Sequence, residues 1–208
     1  MNLKRVRYKQ RDFSLDDIDE LKQINWNLEK YGCGPTSIAN VLVNLGFKIN
    51  PIDTAKKILY DRNGNFDNTY LRNKGINSNG IIYCLERLIK ENKINISYKI
   101  VKIDFSRPND KKEKIISLMK NGNMAIIHIG PSEESPLSFS KNGHYLVISD
   151  IDENDNFYVI NSNKIGDNQM GVPFDYDTII KNMIGRKDSF NFLFIKKCSQ
   201  DSKHSLDC

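Results

Sequence analysis

The sequence predicts an α+β fold in which helices come first and mainly antiparallel strands follow. Three observations carry this. In the first part of the chain apolar residues recur at spacings of three and four, as in Ile38, Val41, Leu42 and Leu45, and again in Ile81, Ile82, Leu85, Leu88 and Ile89. From Met124 the pattern changes to near-continuous apolar runs, beginning with Met124–Ile129. Two later runs, His144–Ser149 and Phe157–Asn161, are separated by the turn sequence Glu153-Asn154-Asp155-Asn156 and read as a β-hairpin. A helical lobe and a sheet lobe with a cleft between them follow from this order.

Taken in order, residues 1–13 are basic and irregular, an arm or an edge strand. Ser14 is a good N-cap, with Asp16 and Asp17 in the first turn of a short helix ending near Gln23 or Ile24. Trp26, in the next turn, reads as a packing residue. The stretch Tyr31–Gly46 reads as a tight turn feeding a helix: Gly32 and Gly34 flank Cys33, Pro35 suits the first helical position, and Gly46 ends the helix. Asn50-Pro51 opens a second helix running to about Tyr60. Residues 61–79 lack a period and form a loop. Asp61, Asn63, Asn65 and Asp67 alternate there somewhat as in a calcium loop, but the twelfth position is Arg72 where such a loop needs glutamate. Ser78 can cap a third helix. Asn95–Ile103 alternates as a strand, and Asn109 or Asp110 starts a helix that Asn121-Gly122-Asn123 ends. After the strand from Met124 comes a long loop, Gly130–Gly143, and then the hairpin. Asp175–Ile184 is a helix capped at Asp175, Phe190–Lys196 is a closing strand, and a polar tail starts at Lys197.

With 208 residues the chain suits one domain, or two tightly joined lobes. The expected boundaries are an arm at 1–13, a domain at 14–197 and a polar tail at 198–208. The net charge is +5, from 31 basic and 26 acidic residues that are dispersed along the chain. Nucleic-acid binding, which needs clustered positive charge, is not indicated. No apolar run approaches the ~20 residues that span a bilayer. The basic start is followed by no signal-peptide core, so a cytoplasmic location is expected, with leaderless export left open. Oligomeric state is not legible. The four cysteines are Cys33, Cys84, Cys198 and Cys208, with no CxxC pair and hence no zinc-finger spacing. Cys84 lies on an apolar helix face. A disulfide between Cys198 and Cys208 is allowed but not required.

Cys33 sits where a helix begins, and the unpaired N–H groups and the dipole there favour a thiolate. The same pattern also fits a small buried cysteine before a core helix. A cysteine nucleophile needs a base and a group that orients the base. Of the three histidines, His204 is in the tail and His128 in an apolar strand. His144 starts a strand directly after Asn142-Gly143, where a loop delivers it to a sheet end. Asn161 ends the strand that returns beside it and can hold one imidazole nitrogen, leaving the other for the thiol. Asp150 lies six positions beyond His144, at the strand's far end.

These residues carry a family resemblance. Tyr31-Gly32-Cys33-Gly34-Pro35-Thr36-Ser37 resembles the nucleophile motif of the papain-like cysteine peptidases related to bacteriocin-leader (double-glycine) peptidases. Asn142-Gly143-His144-Tyr145-Leu146-Val147-Ile148 resembles their base motif, and Gly130-Pro131 with Ser138-Phe139-Ser140 their loop before the histidine. Asn161-Ser162 falls where that family has Asp-Pro. Gln23, ten residues ahead of Cys33, resembles the oxyanion glutamine. The resemblance implies a papain-like fold and a catalytic set of Cys33, His144, Asn161 and Gln23, with Gly32 and Gly143 against the substrate. It further implies a peptide or protein substrate, a thioester intermediate and no metal or organic cofactor. No transporter domain is attached, so a stand-alone peptidase domain is expected. The same constellation supports acyl transfer or deamidation. Asn161-Ser162 in place of Asp-Pro would also fit an inactive peptide-binding module.

Overall fold

The computed structural model describes residues 5–15, 18–73, 75–91, 93–130, 139, 143–183 and 190–199. The chain divides into two units, Met1–Ile94 with Ser162–Lys164, and Asn95–Asn161 with Ile165–Cys208.

The first unit is helical: α1 (Asp19–Gln23), α2 (Leu28–Tyr31), α3 (Cys33–Asn44), α4 (Pro51–Leu59) and α5 (Ser78–Lys90). Helix α1 starts at Asp19 rather than after Ser14, with extended Ile18 at its N-cap and no side-chain cap. Asp16 and Asp17 lie outside the described residues. Asn27 caps α2 by accepting from the Lys30 N–H at 2.9 Å. Gly32 then ends α2 and serves as N-cap of α3. Helix α3 begins two residues before Pro35. The proline is tolerated as the third residue because the first four N–H groups of a helix have no intrahelical partner to lose. Every residue from Gly34 to Leu42 is buried. Asn50 and Asp53 form a reciprocal capping box on α4, with Asn50 Oδ1 accepting from the Ile52 and Asp53 N–H groups at 2.8 and 3.0 Å. Buried Thr54 donates to the Pro35 carbonyl at 2.9 Å and so fixes α4 to the first turn of α3.

Asn77, not Ser78, caps α5, accepting from the Gly80 N–H at 2.9 Å. Between α4 and α5 lies a short hairpin, β1 (Leu71–Arg72) with β2 (Gly75–Ile76), whose two-residue strands are too short to show a period. Asp61 turns its carboxylate on its own loop, accepting from the Asn63 and Asn65 N–H groups at 2.8 and 2.9 Å. Among the described residues no cluster of three or more His, Cys, Asp and Glu could hold a metal. Trp26 is buried, as its packing role predicts.

The described part of the arm is irregular apart from one 3-10 turn, and it is not a strand at a sheet edge. Residues 5–9 lead, through extended Lys9, into a 3-10 turn at Gln10–Asp12, and the asparagines of α3 bond to the main chain of Val6 and Tyr8. Asn44 accepts from the Val6 N–H at 3.0 Å and donates to its carbonyl at 2.8 Å. Asn40 does the same to Tyr8 at 2.6 and 3.1 Å. The match is geometric. One helical turn advances about 6 Å between positions i and i+4, close to the roughly 6.7 Å between i and i+2 of an extended chain.

The second unit holds a six-stranded antiparallel sheet in the order β3-β8-β4-β5-β6-β7. The strands are β3 (Ile96–Val101), β4 (Met124–Ile129), β5 (His144–Ile151), β6 (Phe157–Ile160), β7 (Pro173–Phe174) and β8 (Phe192–Lys197). Ile127, Leu146, Val159 and Phe192 line one face and pack with Ile115 and Met119 of α6 (Lys112–Lys120) and Ile179 of α7 (Tyr176–Met183). Helix α6 starts later than expected because Pro108–Lys111 forms a 3-10 turn first. Asp175 caps α7, accepting from the Thr178 N–H at 2.7 Å. Strand β5 runs two residues beyond Ser149, where a bulge shifts the register against β6. Strand β8 runs through Lys197. Cys198 beyond it is buried, disulfide-bonded, and donates its N–H to the Asn95 carbonyl at 3.1 Å. Cys208 lies outside the described residues. No described helix is long and apolar enough to cross a membrane.

Candidate active site

Cys33 is the first residue of a twelve-residue helix, is partly exposed, and is not in a disulfide. A helix N-terminus is a position where unpaired N–H groups and the helix dipole favour negative charge. Gly32, directly before it, is required for space rather than for an unusual angle, since its φ is −87°. A Cβ there would stand 2.5 Å from both the Leu28 carbonyl oxygen and Leu28 Cδ2. Gln23 is the last residue of α1 and is exposed.

His144 opens β5 and is buried. Its Nε2 lies 2.9 Å from Oδ1 of fully buried Asn161. The ladder explains the meeting. Val147 pairs with Ile160, so continuing the register sets Asn161 beside Leu146, and His144 shares the face of Leu146 two residues away. Asp150 pairs with Tyr158 beyond the bulge, far along the strand. Gly143 is exposed, immediately ahead of the histidine.

The Asn161 amide has a fixed orientation. Its Nδ2 donates to the Phe139 carbonyl at 3.1 Å and to Gln169 Oε1 at 2.8 Å. A main-chain carbonyl can only accept, so the atom facing Phe139 is the NH₂ group and the oxygen faces the imidazole. An oxygen acceptor requires a donor, so His144 carries its proton on Nε2 and its lone pair on Nδ1. Burial pushes the His144 pKa down to about 4, and the Asn161 hydrogen bond opposes that shift in part. The ring is neutral at physiological pH. His128 lies in β4 and stacks on Tyr145 with centroids 4.1 Å apart. His204 lies outside the described residues. Burial pushes the thiol of Cys84 up to about 12.

Sequence reasoning missed Gln169. It is buried in the turn after a 3-10 helix at Lys164–Asn168, in a stretch without periodicity. Phe139 was visible only as part of a loop. Its ring packs against Phe174 with centroids 4.9 Å apart, while its carbonyl holds Asn161.

The model of the Peptidase_C39 like family matches residues 15–183. A crystal structure of a candidate C39-like peptidase from Bacillus anthracis is similar with a TM-score of 0.58 at 14% identity, covering 95% of this chain and 98% of that one. The peptidase domain of Streptococcus ComA, a bi-functional ABC transporter involved in a quorum-sensing pathway, is similar at TM-score 0.46 and 14% identity, over 82% of this chain and 93% of that one. No curated protein matches. The fold class is that of the papain-like α+β peptidases. The chain belongs to the Peptidase C39-like family.

Proposed function

We propose that this chain is a cysteine peptidase in which Cys33 is the nucleophile, His144 the general base and acid, and Asn161 the residue that orients His144. The observation that carries this reading is the His144–Asn161 pair, with its tautomer set by the Phe139 carbonyl. It leaves Nδ1 with a lone pair on a ring that is neutral at physiological pH, the form a general base needs. Cys33 at a helix N-terminus supports the nucleophile's part. Family membership supports a peptide or protein substrate.

In the proposed reaction Cys33 Sγ attacks the scissile carbonyl carbon while its proton passes to His144 Nδ1. The oxyanion takes hydrogen bonds from the Cys33 N–H and the Gln23 amide, donors worth roughly 3 kcal/mol each in comparable sites. Collapse breaks the C–N bond, His144 returns its proton to the leaving amine, and a thioester remains on Cys33. Water then attacks the thioester with His144 as base, releasing the acid and restoring the thiol. Exposed Gly143 leaves main chain open to an extended peptide beside His144, whereas Gly32 is buried with its N–H on the Leu28 carbonyl and its carbonyl on the Thr36 N–H, and so serves the turn before Cys33. The chemistry needs no metal or organic cofactor.

The test is peptide cleavage by the full chain against a mixed peptide library, with Cys33→Ala and His144→Gln alongside. Cleavage lost in both variants, and a mass adduct of a thiol-reactive peptide on Cys33, are expected. Cleavage undiminished in Cys33→Ala would overturn the proposal. No adduct in wild type would favour a binding module. Products formed only with added amines would favour acyl transfer.

A further inference from the structure

Residues 5–12 lie ahead of the family-matched segment at 15–183, yet they are tied to parts of the chain next to the proposed site. Gln10 is buried. Its N–H donates to the Ser162 carbonyl at 3.2 Å, and its Oε1 accepts from the Ser162 hydroxyl at 3.1 Å. Its Nε2 donates to the carbonyl of Glu29. Glu29 lies in α2, which runs through Gly32 into Cys33. Ser162 is bonded to Asn161. Arg7 adds a hydrogen bond from its guanidinium to the Asn163 carbonyl at 2.6 Å.

We infer that Gln10 is a positioning residue for the proposed reaction, holding Ser162, and through its peptide bond Asn161, to the turn that delivers Cys33. The inference rests on the peptidase reading of the site. The amide of one glutamine side chain joins the residue after the orienting asparagine to a carbonyl four residues before the nucleophile. Reaction geometry is sensitive at this level, since a misplacement of about 1 Å can cost 10²-fold in rate. Ser162 supplies a hydroxyl where the resembling motif has proline, and Gln10 uses that hydroxyl. Proline could not donate.

The test follows the His144 Nε2–H in the full chain labelled with ¹⁵N-histidine, assigned by its loss in His144→Gln. Gln10→Met keeps the buried volume and removes the amide. Solvent exchange of the His144 Nε2–H is expected to rise at least about tenfold, since the local opening that exposes it becomes easier. On a cleaved peptide, kcat per titrated Cys33 is expected to fall about fivefold or more with KM unchanged, as for a group acting on the transition state. Ser162→Ala is expected to move both readouts the same way. The double variant is expected to be no worse than the worse single, because the two residues share one hydrogen bond. Nε2–H exchange unchanged in Ser162→Ala and in a folded Gln10→Met overturns the inference, whatever happens to thermal stability. Should Gln10→Met fail to fold, Ser162→Ala decides. Absence of Cys33-dependent turnover in wild type counts against the peptidase reading alone, and the exchange measurement still decides the role of Gln10.

Discussion

His144 is the residue whose state most affects the rest of the site. Its folded pKa of about 4 lies below the ordinary 6.5, because burial penalises the imidazolium. Between those values the unfolded chain binds a proton that folded His144 refuses, so stability falls as pH drops from 6.5 towards 4. The full shift corresponds to about 3 kcal/mol. Urea midpoints measured from pH 7 to 4.5 are expected to fall more steeply for wild type than for His144→Gln. Parallel curves would show that His144 is not the titrating group. The thiols differ as sharply. Cys84 is buried with its pKa pushed up to about 12, and Cys198 is in a disulfide, so neither competes with Cys33. Brief iodoacetamide treatment at pH 7 should label Cys33 at least about 100-fold faster than Cys84, since the thiolate is the reacting form. Comparable rates in peptide maps would refute that. The meeting of His144 with Asn161 was legible because each stands at a junction between elements in a local motif. Gln169, Phe139 and Gln10 were not. Their partners lie 8, 22 and 152 residues away, and only the folded chain brings those distances to hydrogen-bond length.

At the scale of elements, the turn from α2 to α3 is the most demanding piece of backbone near the nucleophile. Gly32→Ala would drive a Cβ to 2.5 Å from the Leu28 carbonyl oxygen. A carbonyl of the preceding turn cannot rotate away like a side chain, so the two helices must shift. The expected cost is roughly 1–3 kcal/mol, read as a lower urea midpoint, together with a changed Cys33 alkylation rate. A variant matching wild type in both would mean that the turn has room. The longer helices were legible from apolar period, and α4 and α7 started as their caps foretold, whereas the four residues of α2 lie where the sequence reads as a turn. Starts failed for different reasons, as where a 3-10 turn precedes α6 or no side chain caps α1. Asn77 prevailed over Ser78 beside it, and α1 waited for Asp19 although Ser14 stands ahead of acids. Strands β1, β2 and β7 have two residues each, less than the alternation needed to see them.

For the whole molecule, the order of helices then strands read from the sequence returns as one helical and one sheet unit. What the order did not disclose is the return of Ser162–Lys164 to the helical unit, and the docking of the arm there. Helix α3 was read by its apolar face, and Asn40 and Asn44 gave no sign of a partner more than thirty residues earlier. Deleting residues 1–9 removes both asparagine clasps and the Arg7 bond. A loss of at least about 1 kcal/mol is expected, the scale of a single net hydrogen bond. An unchanged urea midpoint for the truncated chain would show that the clasps contribute nothing.

The hydrogen bonds of Asn40 and Asn44 to the arm go to its main chain, and Val6 is 45% exposed. The slot is therefore blind to the identity of residue 6. Selection can let that position drift, and an engineer can place a label or a cross-linking handle there while the main-chain clasp stays in place. The exception is proline, which has no N–H to offer Asn44. Position 8 is less free, since the ring of Tyr8 meets Phe13 edge to face at 5.4 Å.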